Sequence, residues 1–317
     1  MATVNTATGS IDTSQLGFTL MHEHIYVLSE GVAPNFPQLF DRPPRLAQAV
    51  AALREAKAHG VSTVVDLTVL GLGRDVAFVR DIAREAGVNV IVATGLYTYD
   101  ELPHYFQTRS IDHMADLFVR DIEVGIQSTD VRAAILKCAT DEQGVTPGVE
   151  KVLRAVARAH RRTGVPISTH THAATKRGLE QQRIFTEEGV DLRRVVIGHC
   201  GDTEDVGYLE QLIAAGSTIG MDRFGVDVIL PTEKRVATIA KLCERGHAGS
   251  MVLAHDTSCY IDWFEESAVK AALPRWNFLH ISDDVVPALR AAGVSDEQIR
   301  QMTVDNPRRI FEAQGAY

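Results

Sequence analysis

The sequence predicts one (β/α)8 TIM barrel spanning residues 1–317 as a single domain. Three observations predict it. Eight short, largely apolar runs recur along the chain, the form expected of strands buried on both faces of a parallel sheet. Amphipathic helical patterns alternate with them. Glycines (Gly60, Gly87, Gly164, Gly189, Gly216 and Gly246) stand at the helix exits, where a left-handed residue is wanted. A length of 317 residues would ordinarily suggest two domains, but α/β barrels run to roughly 250 residues or more as one.

In chain order, the predicted strands are Gly17–Val27, Val61–Thr68, Asn89–Gly95, Arg132–Ala139, Val165–Thr171, Arg194–His199, Ser217–Met221 and Ser250–Asp256. Pro43–His59 opens on prolines and closes before Gly60, which marks a helix start and stop. Pro147–Arg162 repeats that design, and Asp75–Ala86, Thr175–Glu188, Thr203–Ala215 and Thr232–Arg245 fill most other gaps. Thr257–His280 lacks clear periodicity and is predicted to lie as a loop over the C-terminal mouth of the barrel. A doubly wound open sheet would be the other reading, but no G-x-G-x-x-G follows the first strand.

With 45% hydrophobic and 23% charged residues the chain can bury a large core. Its formal net charge of -9 and lack of a Lys/Arg cluster disfavour nucleic acid. No stretch approaches the ~18 apolar residues of a membrane span, and the polar N-terminus lacks a signal-peptide pattern. Cys138, Cys200, Cys243 and Cys259 are scattered singly and read as reduced thiols. The expectation is a soluble cytoplasmic protein.

His22 and His24 lie two apart on the first strand, so alternation places both on one face, the barrel interior. One such histidine would most simply be a satisfied core residue; two in a dry core both need partners. Lys137, His170, His199 and Asp256 fall at the C-terminal ends of the fourth, fifth, sixth and eighth predicted strands, where barrel enzymes carry their catalytic groups. Imidazoles with a carboxylate suit zinc, iron, manganese or cobalt. Lys137 as an ammonium cannot ligate, and a buried cation without a partner is costly. His59, His160 and His247 sit near helix C-termini, where partial positive charge is favoured. His255 should point away from Asp256, and His172 lies past its strand. There is no G-x-S-x-G elbow, phosphate-binding P-loop or H-E-x-x-H helix.

The H-x-H of the first strand, LKCA, ISTHTH, VVIGHCGD, GMDRFG, LAHD and the closing VDNPRRIF together resemble the phosphotriesterase family of the amidohydrolase superfamily, most closely its lactonases. The likeness covers Gly17 to Phe311. It implies two divalent metal ions per chain, one held by His22, His24 and Asp256 and the other by His170 and His199. Lys137 would match the lysine that CO2 converts to a bridging carbamate. Tyr97 matches a tyrosine that contacts the substrate oxygen, Arg223 an arginine lining the pocket, and Trp263 an aromatic against the ring and acyl chain. Asp256, Tyr97 and Lys137 would then be the catalytic residues. The segment His104–Asp112 looks shorter than usual in the family, which bears on the pocket rim. The resemblance implies a homodimer that opens lactones, above all N-acyl-homoserine lactones (quorum quenching), and turns over phosphotriesters weakly. Rivals are a cyclic amide hydrolase or deaminase on the same metals, disfavoured by apolar surroundings at Tyr97, Phe224 and Trp263, and a non-catalytic member, disfavoured by the complete ligand set.

Overall fold

Parallel pairing of the apolar runs decides the architecture. In the computed structural model, which describes residues 2–312 and 315–317, the barrel strands are β1 Phe18–Val27, β2 Val61–Asp66, β3 Asn89–Gly95, β4 Ile135–Thr140, β5 Ile167–Thr171, β6 Val195–Ile197, β7 Thr218–Met221 and β8 Met251–Leu253. Each pairs in parallel with the next. The segment after β8 closes the barrel against β1: the Asp256 N–H donates to His22 O at 3.0 Å, and the His24 N–H to Thr257 O at 2.9 Å. That segment continues as β9, Ser258–Ile261, parallel to β1 with Ser258 opposite His24. An antiparallel hairpin of Thr3–Thr6 and Gly9–Asp12 precedes the barrel.

Met21, Val65, Ile91, Ile135, Val196 and Val252, drawn from six strands, belong to one buried cluster that fills the interior; Leu16, Ile310 and Phe311 extend it at the N-terminal end. The outward residues of the same strands pack under the helices α1 Arg42–Ala58, α2 Val76–Ala86, α3 Ile111–Glu123, α4 Pro147–Thr163, α5 Arg177–Glu187, α6 Val206–Ala214, α7 Thr232–Glu244 and α8 Val286–Ala291. Local sequence fixes their ends. The Asp75 side chain caps α2 by accepting from the Phe78 N–H, Thr146 caps α4 in the same way, and Gly164 closes α4 with a φ of 76°.

The structure departs from the sequence reading in three places. α3 is a full amphipathic helix capped by Ser110, with Met114, Ala115, Phe118, Val119 and Ile122 buried, where no helix was expected. Thr257–His280 is not a plain loop: it holds β9 and a short helix, Glu266–Ala272. Lys137 sits within β4, not at its end, opposite Gly95 on one side and Ser168 on the other. No helix among the described residues is long and apolar enough to cross a membrane, and all four cysteines are free thiols.

Candidate metal centre

The irregular stretch of β1 starts the site. Its pairing with β2 slips between Leu20 and Glu23, beside His22, and His22 and His24 both face the mouth. His22 Nε2 lies 2.6 Å from Lys137 Nζ and 3.4 Å from Asp256 Oδ1; His24 Nε2 lies 3.3 Å from the same oxygen. His170 Nδ1 and His199 Nε2 are 2.8 Å apart. Ligand atoms of His22, His199 and Asp256 all fall within 4.8 Å of one another. The six predicted ligands line one cavity of about 340 Å³, together with Tyr97, Arg223 and Trp263.

Two of these residues occupy strained backbone. His199 has φ 58° and Asp256 φ 55°, left-handed values that cost a non-glycine residue on the order of 1–2 kcal/mol. The surroundings hold both. Asp222 Oδ1 accepts the His199 backbone N–H at 2.7 Å. Glu23, fully buried between the two β1 histidines, accepts the backbone N–H groups of His255 and Thr257, which flank Asp256, at 2.9 Å each.

The hydrogen bonds behind the rings decide which nitrogens face inward without a proton. Asp141 Oδ2 lies 3.1 Å from His170 Nε2, and that bond holds the Asp141 carboxyl below the usual carboxylate range, so the ring nitrogen is the donor. Thr68 gives its hydroxyl proton to Tyr26 O and so accepts from His24 Nδ1 at 2.9 Å. With Asp222 ionised, its two oxygens accept from His199 Nδ1 at 2.9 Å and His22 Nδ1 at 2.8 Å. Burial, then the Asp256 charge, pushes the Asp222 carboxyl up; Lys137 and the His199 N–H oppose that. Four imidazole lone pairs therefore converge, two of them 2.8 Å apart. Such facing lone pairs repel unless a cation lies between them, so the donor set fits metal ions.

The charges agree. Burial alone would raise Asp256, but His22, His24 and Arg223 hold it well below its ordinary value, as an anion. Arg223 Nε donates to Asp256 Oδ2 at 3.1 Å, and its NH1 to Asp202 Oδ2 at 3.0 Å. Lys137 is buried, has no carboxylate partner among the described residues, and is lowered to about 8 by that burial, against its neighbouring carboxylates. Burial pushes the Tyr97 phenol up; its hydroxyl lies 3.3 Å from His170 Nδ1 and bonds the Tyr99 hydroxyl.

A model of the phosphotriesterase family matches residues 2–311. The chain belongs to the phosphotriesterase family. It is 59% identical over 325 residues to a phosphotriesterase homology protein of Mycobacterium tuberculosis, covering all of both chains. It is 44% identical over 305 residues to an aryldialkylphosphatase of Saccharolobus solfataricus, covering 95% of this chain and 97% of that one. The solved structure of the phosphotriesterase from Mycobacterium tuberculosis superposes with a TM-score of 0.97 at 59% identity, over 99% of this chain and 100% of that one. Like other members, this chain is a metal-dependent hydrolase acting on esters.

Within this phosphotriesterase-family site, sequence reasoning missed the residues that orient the ligands: Asp222, Asp141 and Thr68. Asp222 and Asp141 each follow directly on a barrel strand, so the strand-end rule that found Asp256 applied to them too. Other expectations are corrected. Phe224 is fully buried and packs towards His280, outside the cavity. His160 carries no favoured charge at its helix end: burial lowers it, its Nδ1 lies 2.7 Å from Val165 O, and its Nε2 2.7 Å from the Tyr317 hydroxyl. Two expectations hold: His255 turns away from Asp256 to bond Glu23, and His172, past the end of its strand, bonds Thr175.

Proposed function

We propose that this family member is a binuclear lactonase acting on lactones with apolar acyl chains, N-acyl-homoserine lactones foremost, with phosphotriesters as weak secondary substrates. The observation that carries the reading is the cavity itself. Its floor is the six-residue ligand set, and its walls include Leu72, Ile229, Ile261, Trp263 and Phe264. A mostly apolar pocket with a few convergent polar groups suits a molecule of a polar ring and a greasy tail. The name of the 44%-identical aryldialkylphosphatase supports the secondary activity.

In this reading His22, His24 and Asp256 would hold one ion and His170 and His199 the other. Lys137 would join them as a carbamate: its neutral amine adds to CO2 and releases one proton, giving a bidentate anion. When bound, the ions supply a water of pKa near ~7 and polarise the ester oxygen. The chain does the rest. Asp256 takes the proton of the attacking water and returns it to the leaving alkoxide, while Arg223 fixes the rotamer of Asp256 through Oδ2. Tyr97, kept a phenol by burial, donates to the substrate oxygen beside His170. Trp263, 42% exposed with its ring 6.4 Å from that of Tyr97, packs on the tail.

The test is kcat/KM for a homologous lactone series on the parent and on Trp263→Ala. Each buried methylene should improve the parent by up to ~0.8 kcal/mol, and the variant should lose that gradient while still opening short γ- and δ-lactones. A flat parent series, or brisk turnover of an amide or phosphotriester with no lactone opened, rejects the lactonase reading and leaves the family assignment intact.

A further inference from the structure

A second cavity lies outside the barrel wall. At about 400 Å³ it is as large as the one over the ligands, and it sits between the outward faces of β1–β3, helix α2 and the 28–42 segment. Well-packed interiors hold few voids larger than a water, and small-molecule sites begin at roughly 300 Å³. Its walls are mostly apolar inside a polar rim, with Tyr26, Phe40 and Phe78 forming a cluster of rings whose centroids are 5.3–6.0 Å apart and the Arg42 guanidinium 4.1 Å from the Phe78 centroid.

One group in that wall is out of character. Asp66 is 2% exposed, yet it lines the cavity, and its carboxyl accepts the Thr68 N–H at 3.1 Å. Among the described residues no lysine or arginine pairs with it: at the rim Arg42 is taken by Asp75, and Arg74 by Asp121 at 2.9 Å. A buried carboxylic residue in the wall of a mostly apolar void, without a lysine or arginine partner among the described residues, is the complement of an ammonium on an apolar body.

We propose that this cavity is a second small-molecule site, taking an amine with a single-ring apolar body, its ammonium on Asp66 and its ring among Phe40, Phe78 and Val79. The site is wired to the metal centre. Thr68 lines the cavity, and its hydroxyl accepts from His24 Nδ1. An occupant touching Thr68 therefore biases the ring that faces Asp256, giving the two sites a coupling free energy that runs both ways.

The experiment uses metal-loaded protein and three probes of one shape: 2-phenylethylamine, phenylacetate and ethylbenzene. Calorimetry should show saturable binding of the amine, at least tenfold weaker binding of the acid and hydrocarbon, and at least a twofold change in the rate of metal stripping by a chelator when the amine is bound. Val79→Phe, which fills the cavity from α2 and touches no ligand, should leave basal ester hydrolysis unchanged and abolish both effects. Trp263→Ala, in the other cavity, should leave both effects in place. Failure of the amine to saturate at millimolar concentration, equal binding of the three probes, or binding that survives Val79→Phe overturns the proposal. An amine that binds as predicted without altering metal release overturns the coupling through Thr68.

Discussion

Asp222→Asn is the sharpest perturbation of this centre, because it changes one atom at the point where two ligands are oriented. The carboxylate accepts three N–H groups, two from His199 on Oδ1 and one from His22 on Oδ2. Asparagine offers one acceptor oxygen and an NH2. The side chain cannot shift aside: a Cβ on Gly220 would lie 2.3 Å from Asp222 Oδ2, and one on Gly198 3.1 Å, so the carboxyl already fills the space those glycines leave. If the amide keeps both His199 bonds, its NH2 faces the N–H of His22 Nδ1. The strain is relieved when that ring moves its proton to Nε2, the atom that should ligate. A hydrogen bond to a charged acceptor contributes about 1.5–3 kcal/mol, which matches the 10–100-fold loss of metal affinity typical when a ligand's supporting partner is removed. The expected outcome is a metal Kd weakened about 10–100-fold for one of two ions, an unchanged circular dichroism spectrum, and turnover partly restored by excess metal. Chelator-competition titration of parent and variant measures it. A Kd within twofold of the parent, or loss of activity that no metal concentration restores, refutes the tautomer argument.

Three further expectations follow from the same geometry. Lys137→Ala should abolish turnover and lower metal content, and Lys137→Arg should do no better, since a guanidinium stays charged; elemental analysis beside a lactonase assay checks both, and near-normal activity in either rejects the carbamate. Asp256→Asn should cut kcat by about 10²–10⁴-fold with a far smaller change in KM; a drop below tenfold places the proton transfer elsewhere. His255 is lowered to about 3 by burial, so between pH 6.5 and 3 the unfolded chain binds the extra proton. Its contribution to stability is full above pH 6.5 and falls as pH drops, by up to about 1.4 kcal/mol per unit, so urea titrations from pH 6.5 to 4 at fixed metal concentration should show a shallower slope for His255→Gln.

The barrel was legible because its strands are buried on both faces and so stand out as apolar runs, and because the candidate ligands are polar residues placed where such runs end. His170, His199 and Asp256 carry that signal plainly. Lys137 carries it for a different reason, being a lysine inside a strand core. Asp222 and Asp141 carry the same strand-end signal, each following directly on a barrel strand, but their task shows only when the fold brings His22 and His199 to the two oxygens of Asp222 and His170 to Asp141. Helix α3 was legible in principle: Met114, Ala115, Phe118, Val119 and Ile122 keep helical spacing behind a Ser110 cap. His160 shows the limit of a local rule, since the helix terminus favours its charge by at most ~2 kcal/mol and full burial outweighs that.

What ties these residues together is that the site is where local preference is overruled. His199 and Asp256 adopt left-handed backbone that is costly for a non-glycine residue, Lys137 is buried with no carboxylate bonded to it among the described residues, and imidazole lone pairs face each other. Each feature is unfavourable by itself. Yet the two strained residues are each held by a specific partner, Asp222 for His199 and Glu23 for the segment around Asp256. A chain selected only for stability would keep a valine at Glu23, because a fully buried carboxyl raised by desolvation is costly unless its hydrogen bonds do something that packing cannot. Glu23 therefore positions the backbone on either side of Asp256 through hydrogen bonds that an apolar side chain could not supply.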